Sequence, residues 1–283
     1  MNAPADTGLL QQWVGRTESA EDVITVEHAR AFTATLAGDL PALKAGDPAP
    51  LAFHWCLAPR LSTLAEADID GHPKRGDFLP PVPLPRRMWA GGELELLAPL
   101  RIGDTVLRQS RIADVAFKTG RSGPLCFVTV AHELSVGGSP RIRERHDIVY
   151  RGKARGEQAT APRGKDEKVF AAERVIDPSP VLLFRYSALT FNSHRIHYDV
   201  DYAMHEEGYA GLVVHGPLQA TVMLHHAAAI AGRAPRRFTY RGMAPLTHRE
   251  PFRVRSAPLQ EGMMECWTGS ETVPVGMAAC ASW

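Results

Sequence analysis

The chain has little of several things that mark large protein classes. Its 283 residues hold four cysteines, Cys56, Cys126, Cys266 and Cys280, none of them in a C-x-x-C pair. That leaves no signal for a zinc site or a dithiol redox centre. A chain this large with no secretory signature is expected to keep these thiols reduced and buried. Charge of one sign is also missing: 32 basic residues face 31 acidic ones, for a formal net charge of +1. No global field therefore favours nucleic acid or an anionic membrane. The most apolar stretch, residues 216–232, contains Gln219, Thr221, His225 and His226 and is too short and too polar to span a bilayer. The first residues, MNAPADTGLLQQW, lack a basic segment followed by an apolar run. A cytoplasmic protein with neither a membrane nor a nucleic-acid partner is expected. No G-x-G-x-x-G follows a strand signal and no G-K-[ST] loop occurs, so no metal, flavin or nicotinamide cofactor is expected.

What is present is apolar residue in strand-like runs. Hydrophobic residues make up 45% of the chain, enough to bury one large domain or two medium ones. Residues 20–38 read as a short strand and then a helix ending at Gly38. LAFHWCLA (51–58) reads equally as a buried helix or a buried strand. In DGHPKRGDFLPPVPLP (70–85), prolines exclude a helix or central strand and predict an extended surface loop. Strand signals follow at 86–97, 105–117, 125–136 and 142–151, separated by glycine-rich turns. Residues 152–168 are charged and free of large apolar groups, the composition of a linker. A strand signal then covers 169–176, and four more strand-like runs follow a helix over 217–231. Pro217 suits the start of that helix and Gly232 its end. Between them almost no polar face remains, so the helix must be enclosed. A weak repeat, Pro85-Arg86-Arg87 and Ala98-Pro99-Leu100 against Pro235-Arg236-Arg237 and Ala244-Pro245-Leu246, is offset by 150 and 146 residues. It fits two copies of one fold, residues 1–152 and 169–283, joined by the linker.

The chemistry is concentrated in FRYSALTFNSHRIHYD (184–199), directly upstream of the enclosed helix, whose start is marked by Gly211, His215, Gly216 and Pro217. A helix N-terminus presents unpaired N–H groups and a positive dipole end. The backbone N–H groups of His215 and Gly216 are placed to hold an oxyanion, with Gly211 and Gly216 giving a carbonyl close access. A histidine beside them exchanges protons at neutral pH. Together they supply what addition of water to an enoyl thioester needs.

At these residues the sequence resembles the MaoC-like hydratases. Ile196-His197 matches the end of their Gly-Asp-x-Asn-Pro-(Leu/Ile)-His motif, and Val214-His215-Gly216 matches their helix start. The resemblance gives His197 the role of catalytic histidine and puts Asn192 where the family has its aspartate, a departure because an amide is no base. The strings at 70–92 and 184–199 are closer still to a subgroup: mitochondrial-type 3-hydroxyacyl-thioester dehydratases and mesaconyl-C4-CoA (3-methylfumaryl-CoA) hydratases. That resemblance covers roughly residues 20–255. It implies an α+β double hot-dog, each half a curved antiparallel sheet around a central helix. The first half would be a degenerate copy enclosing the acyl chain. It further implies a homodimer and an acyl-CoA substrate: mesaconyl-C4-CoA hydrated to citramalyl-CoA, with itaconyl-CoA as a further candidate. A 3-hydroxyacyl dehydratase on CoA or acyl carrier protein, a thioesterase and a non-catalytic acyl-CoA binder are the alternatives.

Three residues compete to replace the missing carboxylate. Asn192 can orient the water while His197 is the base, His194 can be a second acid/base group, and Asp199 can polarise His197. Arg185, Arg195 and Arg86 are candidate cations for a substrate carboxylate. Arg185 and Arg195 otherwise face solvent or pair with Glu206 or Glu207. Tyr186 and Trp89 are candidate substrate contacts, with strand packing as the plainer role of Trp89. Arg237 and Arg241, in a basic run with Arg233 and Arg236, are a solvated face or a CoA phosphate site. His225 and His226 are read as packing residues.

Overall fold

The computed structural model describes residues 7–36, 40, 42–120, 123–152 and 170–283. The helix end expected at Gly38 and nearly all of the expected linker lie outside these residues. The order is α1 (Thr7–Gln11), β1 (Thr17–Val23), α2 (Val26–Leu36), β2 (Arg86–Leu96), β3 (Thr105–Gly120), β4 (Gly123–Val136), β5 (Ser139–Arg151), β6 (Ala172–Ile176), α3 (Pro180–Leu189), α4 (Gly216–Ala231), β7 (Arg237–Gly242), β8 (Phe252–Ser256), β9 (Met263–Gly269) and β10 (Met277–Ser282). All nine strands expected from residue 86 onward are present.

The strands form one ten-stranded antiparallel sheet in the order β1-β3-β4-β5-β2-β7-β10-β9-β8-β6. The two strands that carry the repeat, β2 and β7, pair with each other at its centre, Gly91 opposite Arg241 and Glu95 opposite Arg237. The junction is tight. A Cβ on Gly91 would stand 2.6 Å from the Tyr240 carbonyl oxygen, and one on Gly92 would collide with the Arg145 carbonyl and the Tyr240 hydroxyl.

Helix α4 lies in the concave face of β7–β10 and also touches β2. Its residues Leu218–Leu224 are all buried, as an apolar circumference demands. It stops where Gly232 takes a left-handed conformation at φ 70°. The first half repeats the strand–helix–four-strand order but carries, where the sequence reads LAFHWCLA, only the short turn Phe53–Cys56.

The proline-rich segment departs from its expected role as a surface loop. Phe78 and Val82 are buried against Ile112, Val128 and Tyr150. Proline removes ladder hydrogen bonds, which keeps this stretch out of the sheet, but it does not prevent side-chain burial. The four cysteines are free, and all but Cys280 are fully buried.

Gly91→Ala should lower stability by about 1–3 kcal/mol through overpacking at the central junction. Urea denaturation checks this, and an unchanged midpoint would contradict the close β2–β7 approach.

Candidate active site

A short turn, Arg195–His197, presents the expected histidines. Its geometry is set by Asn192, whose Oδ1 accepts the His194 N–H at 3.0 Å while its own N–H donates to the Ser187 carbonyl at 2.8 Å. Asn192 therefore shapes the turn. The His197 ring is buried, and its Nδ1 donates to the Val213 carbonyl at 2.7 Å, which fixes the tautomer and leaves Nε2 as the basic nitrogen. Burial pushes its pKa down to about 4, so the ring is neutral at physiological pH.

His197 stacks on His215 with centroids 3.6 Å apart. His215 caps the start of α4 and places its Nε2 2.8 Å from Ser187 Oγ. Its Nδ1 is buried without a hydrogen-bond partner among the described residues. The ring of residue 197 thus lies against the open helix end, the arrangement the sequence leads one to expect. The two glycines have a different reason from the one expected. A Cβ on Gly216 would stand 2.7 Å from the Trp89 ring, and one on Gly211 would stand 2.7 Å from His248. Both are small because side chains pack on them.

The sequence reading missed two residues here. Asp70 and His72 reach the cluster from the proline-rich segment of the first half. His72 lies 4.1 Å from His194, centroid to centroid, and His194 lies 5.5 Å from His197. Asp70 grips His72 twice: Oδ1 accepts the His72 N–H at 2.9 Å, and Oδ2 lies 3.0 Å from Nδ1. The segment is clamped in place. The Arg195 N–H donates to the Asp70 carbonyl at 2.9 Å, Arg195 Nη1 donates to the Ile69 carbonyl at 3.2 Å, and Ser193 Oγ donates to the Gly71 carbonyl. Gly71, at φ +89°, has no room for a side chain against the Ser193 carbonyl. The visible signal was a carboxylate and an imidazole two residues apart in DGHP; no local pattern ties them to residues more than a hundred positions away.

The remaining candidates are dispersed. Arg195 pairs with Asp199 Oδ2 through Nε at 3.0 Å and Nη2 at 2.7 Å and lies over the Tyr202 ring. Asp199 is thereby drawn away from His197. Arg86 pairs with Glu207 at 3.0 Å, and Arg185 is exposed on α3. Tyr186 is buried, its hydroxyl 3.3 Å from Thr221 Oγ1. Arg237 is held by both oxygens of Glu93 at 2.7 and 2.8 Å, and Arg241 is exposed. Trp89 stacks on Tyr240 at 4.5 Å and meets Trp55 and His146 edge-on. Behind this aromatic wall Glu144 is buried, accepting from Trp55 Nε1 at 2.6 Å and from His146, with His54 Nε2 at 3.4 Å. His225 and His226 hydrogen-bond to the Leu51 carbonyl and to Ser256 Oγ, the packing roles expected of them.

Comparison with known proteins is decisive for the family. Residues 52–248 match the hydroxyacyl-thioester dehydratase type 2 family, and the chain is 44% identical over 246 residues to the mesaconyl-C(4)-CoA hydratase of Chloroflexus aurantiacus, covering 87% of this chain and 88% of that one. The chain belongs to the hydroxyacyl-thioester dehydratase type 2 family. It is accordingly a hydro-lyase. A second relative, the mitochondrial hydroxyacyl-thioester dehydratase type 2 of Saccharomyces cerevisiae, is 26% identical over 214 residues, 71% of this chain and 74% of that one. The fold is shared with a MaoC-like dehydratase from Phytophthora capsici (TM-score 0.70, 15% identity, 99% of both chains). A Mycobacterium tuberculosis protein described as a double hot-dog also shares it (TM-score 0.55, 11% identity, 95% and 96% covered). Among the described residues, no helix of this family member is long and apolar enough to cross a membrane.

The buried imidazoles predict an acid-labile fold. His72 and His197 have pKa values pushed by burial from 6.5 to about 4, so on acidification the unfolded chain takes up protons first. The stability contributed by the neutral rings is complete above about pH 6.5 and is lost as the pH falls toward 4. Melting temperatures should fall steadily between about pH 7 and about pH 5; a flat profile across that window would contradict the burial of these rings.

Proposed function

We propose that this enzyme hydrates a short, branched dicarboxylyl-CoA thioester, converting mesaconyl-C4-CoA to citramalyl-CoA. The observation that carries this reading is the neutral His197 ring, tethered through Nδ1 to Val213 and set against the start of α4. Nε2 takes a proton from water as the water oxygen bonds to the β-carbon of the enoyl group. The π electrons move onto the thioester oxygen, where the N–H groups of His215 and Gly216 at the helix start stabilise the enolate. The same proton then passes to the α-carbon, restoring neutral His197.

The short substrate is favoured over a fatty one by the polarity of the first half. His54 and Glu144, both buried, and His132 and His146 lie on or against its sheet behind Trp89. An aliphatic tail would strip water from these groups without pairing them. In mesaconyl-C4-CoA the free carboxylate sits on the carbon that receives the hydroxyl, so its cation belongs beside the imidazoles. Arg87, whose charge depresses the pKa values of both His72 and His194, meets that requirement better than Arg185, Arg195 or Arg86. In this reading residues 1–152 enclose the acyl end, residues 169–283 carry His197, and the enzyme works as a cytoplasmic homodimer. Arg241 is the stronger candidate for a CoA phosphate, because Arg237 is already paired.

The test supplies purified enzyme with mesaconyl-C4-CoA, itaconyl-CoA and crotonyl-CoA. Enoyl absorbance should fall fastest with mesaconyl-C4-CoA, and no free thiol should appear. Thiol release would make the enzyme a thioesterase, and preference for long 3-hydroxyacyl thioesters would make it a fatty dehydratase. His197→Ala should lose about a hundredfold or more in rate, and normal turnover in that variant would refute the assignment. Arg87→Gln should raise KM for mesaconyl-C4-CoA and leave KM for crotonyl-CoA nearly unchanged.

A further inference from the structure

Deprotonating a water with a single imidazole of depressed basicity leaves the developing positive charge on His197 without a counter-charge. Two carboxylates border the imidazole row. Asp199 is occupied, one oxygen by the Arg195 guanidinium and the other by the Tyr202 N–H at 3.0 Å. Asp70 is the other. Its charge is directed through His72, and the ring of His194 touches both His72 and His197.

We propose that Asp70 and His72 form a dyad delivered by the first half, in which His72 Nε2 is the second acceptor for the attacking water and Asp70 positions and polarises the His72 ring. This rests on the hydratase reading above. The arrangement resembles that at His197: each ring is tethered through Nδ1, one to a carboxylate and one to a carbonyl, and each presents Nε2 as an acceptor. One water O–H breaks toward His197 Nε2 while the other is held by His72 Nε2. The oxygen lone pair is thereby aimed at the β-carbon, and Asp70 stays ionised throughout. No proton is left on His72, so the step closes with the return of the His197 proton to the α-carbon.

Burial opposes the charge on Asp70, yet the hydrogen bonds from the His72 ring and backbone hold its carboxyl well below the usual range. Among the described residues, the titratable and charged groups facing His72 are Asp70, His194, His197, Arg87 and Arg75. Burial and the arginines lower its basicity, and Asp70 raises it. Asp70, His72 and His194 also offer ligand atoms within 4.8 Å of one another, a spacing that a divalent cation can share. The dyad is favoured because both Asp70 oxygens are already turned onto His72.

The test combines kinetics with histidine-selective nitrogen NMR on the full chain, using wild type, Asp70→Asn, His72→Gln and the double variant. All four should unfold cooperatively, the variants at somewhat lower temperature because the hydrogen bonds that depress the Asp70 carboxyl also stabilise the fold. Each single variant should lose about tenfold to a hundredfold in kcat with KM changed less than about threefold, and the double variant should lose no more than the worse single one. The acid limb of kcat/KM should move to lower pH in Asp70→Asn, because the amide no longer raises the His72 pKa. Wild-type His72 should show the Nδ1–H tautomer at neutral pH, with its Nδ1 proton shifted in Asp70→Asn. Wild-type kcat in His72→Gln, or the Nε2–H tautomer in the wild type, overturns the dyad while leaving the hydratase reading intact. One zinc per chain by elemental analysis overturns it in favour of a metal site. If wild-type enzyme hydrates none of the three thioesters, the hydratase reading fails, and the tautomer and its response to Asp70→Asn still decide whether Asp70 holds His72.

Discussion

The hydrogen bond from His197 Nδ1 to the Val213 carbonyl governs the site. An imidazole has two nitrogens and, when neutral, one proton. Assigning that proton to a backbone carbonyl makes the opposite nitrogen a base by default. The carbonyl belongs to the stretch that runs into α4, so the bond also fixes the ring's position relative to the helix start. Burial then prevents protonation in the resting state. Tautomer, orientation and charge state follow from one contact with the main chain.

The second constraint acts between distant parts of the chain. The turn at 193–195 receives the Asp70–His72 segment by donating hydrogen bonds to the carbonyls of Asp70 and Gly71, and the absent side chain of Gly71 permits the close approach. The two halves meet again at the β2–β7 junction, where glycines let the strands come together, and at Trp89, which lies on Gly216 and on Tyr240. The row of rings is therefore assembled from both halves, with His72 supplied by the first and His194 and His197 by the second.

Much of this was legible in the sequence. Apolar runs between glycine-rich turns located β2–β5 and gave the number, though not the bounds, of the strands after the helix, and the nearly all-apolar helix bounded by Pro217 and Gly232 could only be enclosed. A polar stretch before that helix pointed to the site, and the resemblance to the MaoC-like motif singled out His197 within it. Other features were not legible, for identifiable physical reasons. Prolines report the lack of ladder hydrogen bonds but say nothing about burial, so the segment around Phe78 was misplaced on the surface. The small residues at 211 and 216 signal close approach without naming what approaches, and here it is His248 and Trp89. The Asp70–His72 pair is local, but its partners His194 and His197 are joined to it only through tertiary docking. Asn192 drew attention because it stands where the resembled motif has its aspartate; that its Oδ1 and backbone N–H also build the turn is a tertiary detail that the sequence does not show.

The centre of the sheet has a consequence at its rims. Because the repeated strands β2 and β7 satisfy each other inside one chain, the outermost strands are β1 and β6. They are short and carry Glu18, Glu21 and Asp22 on one and Glu173 and Arg174 on the other. Brief, charged borders are poor templates for a foreign strand. The molecule thus closes its own seam internally and leaves little for runaway stacking, so self-association would have to use its faces and loops.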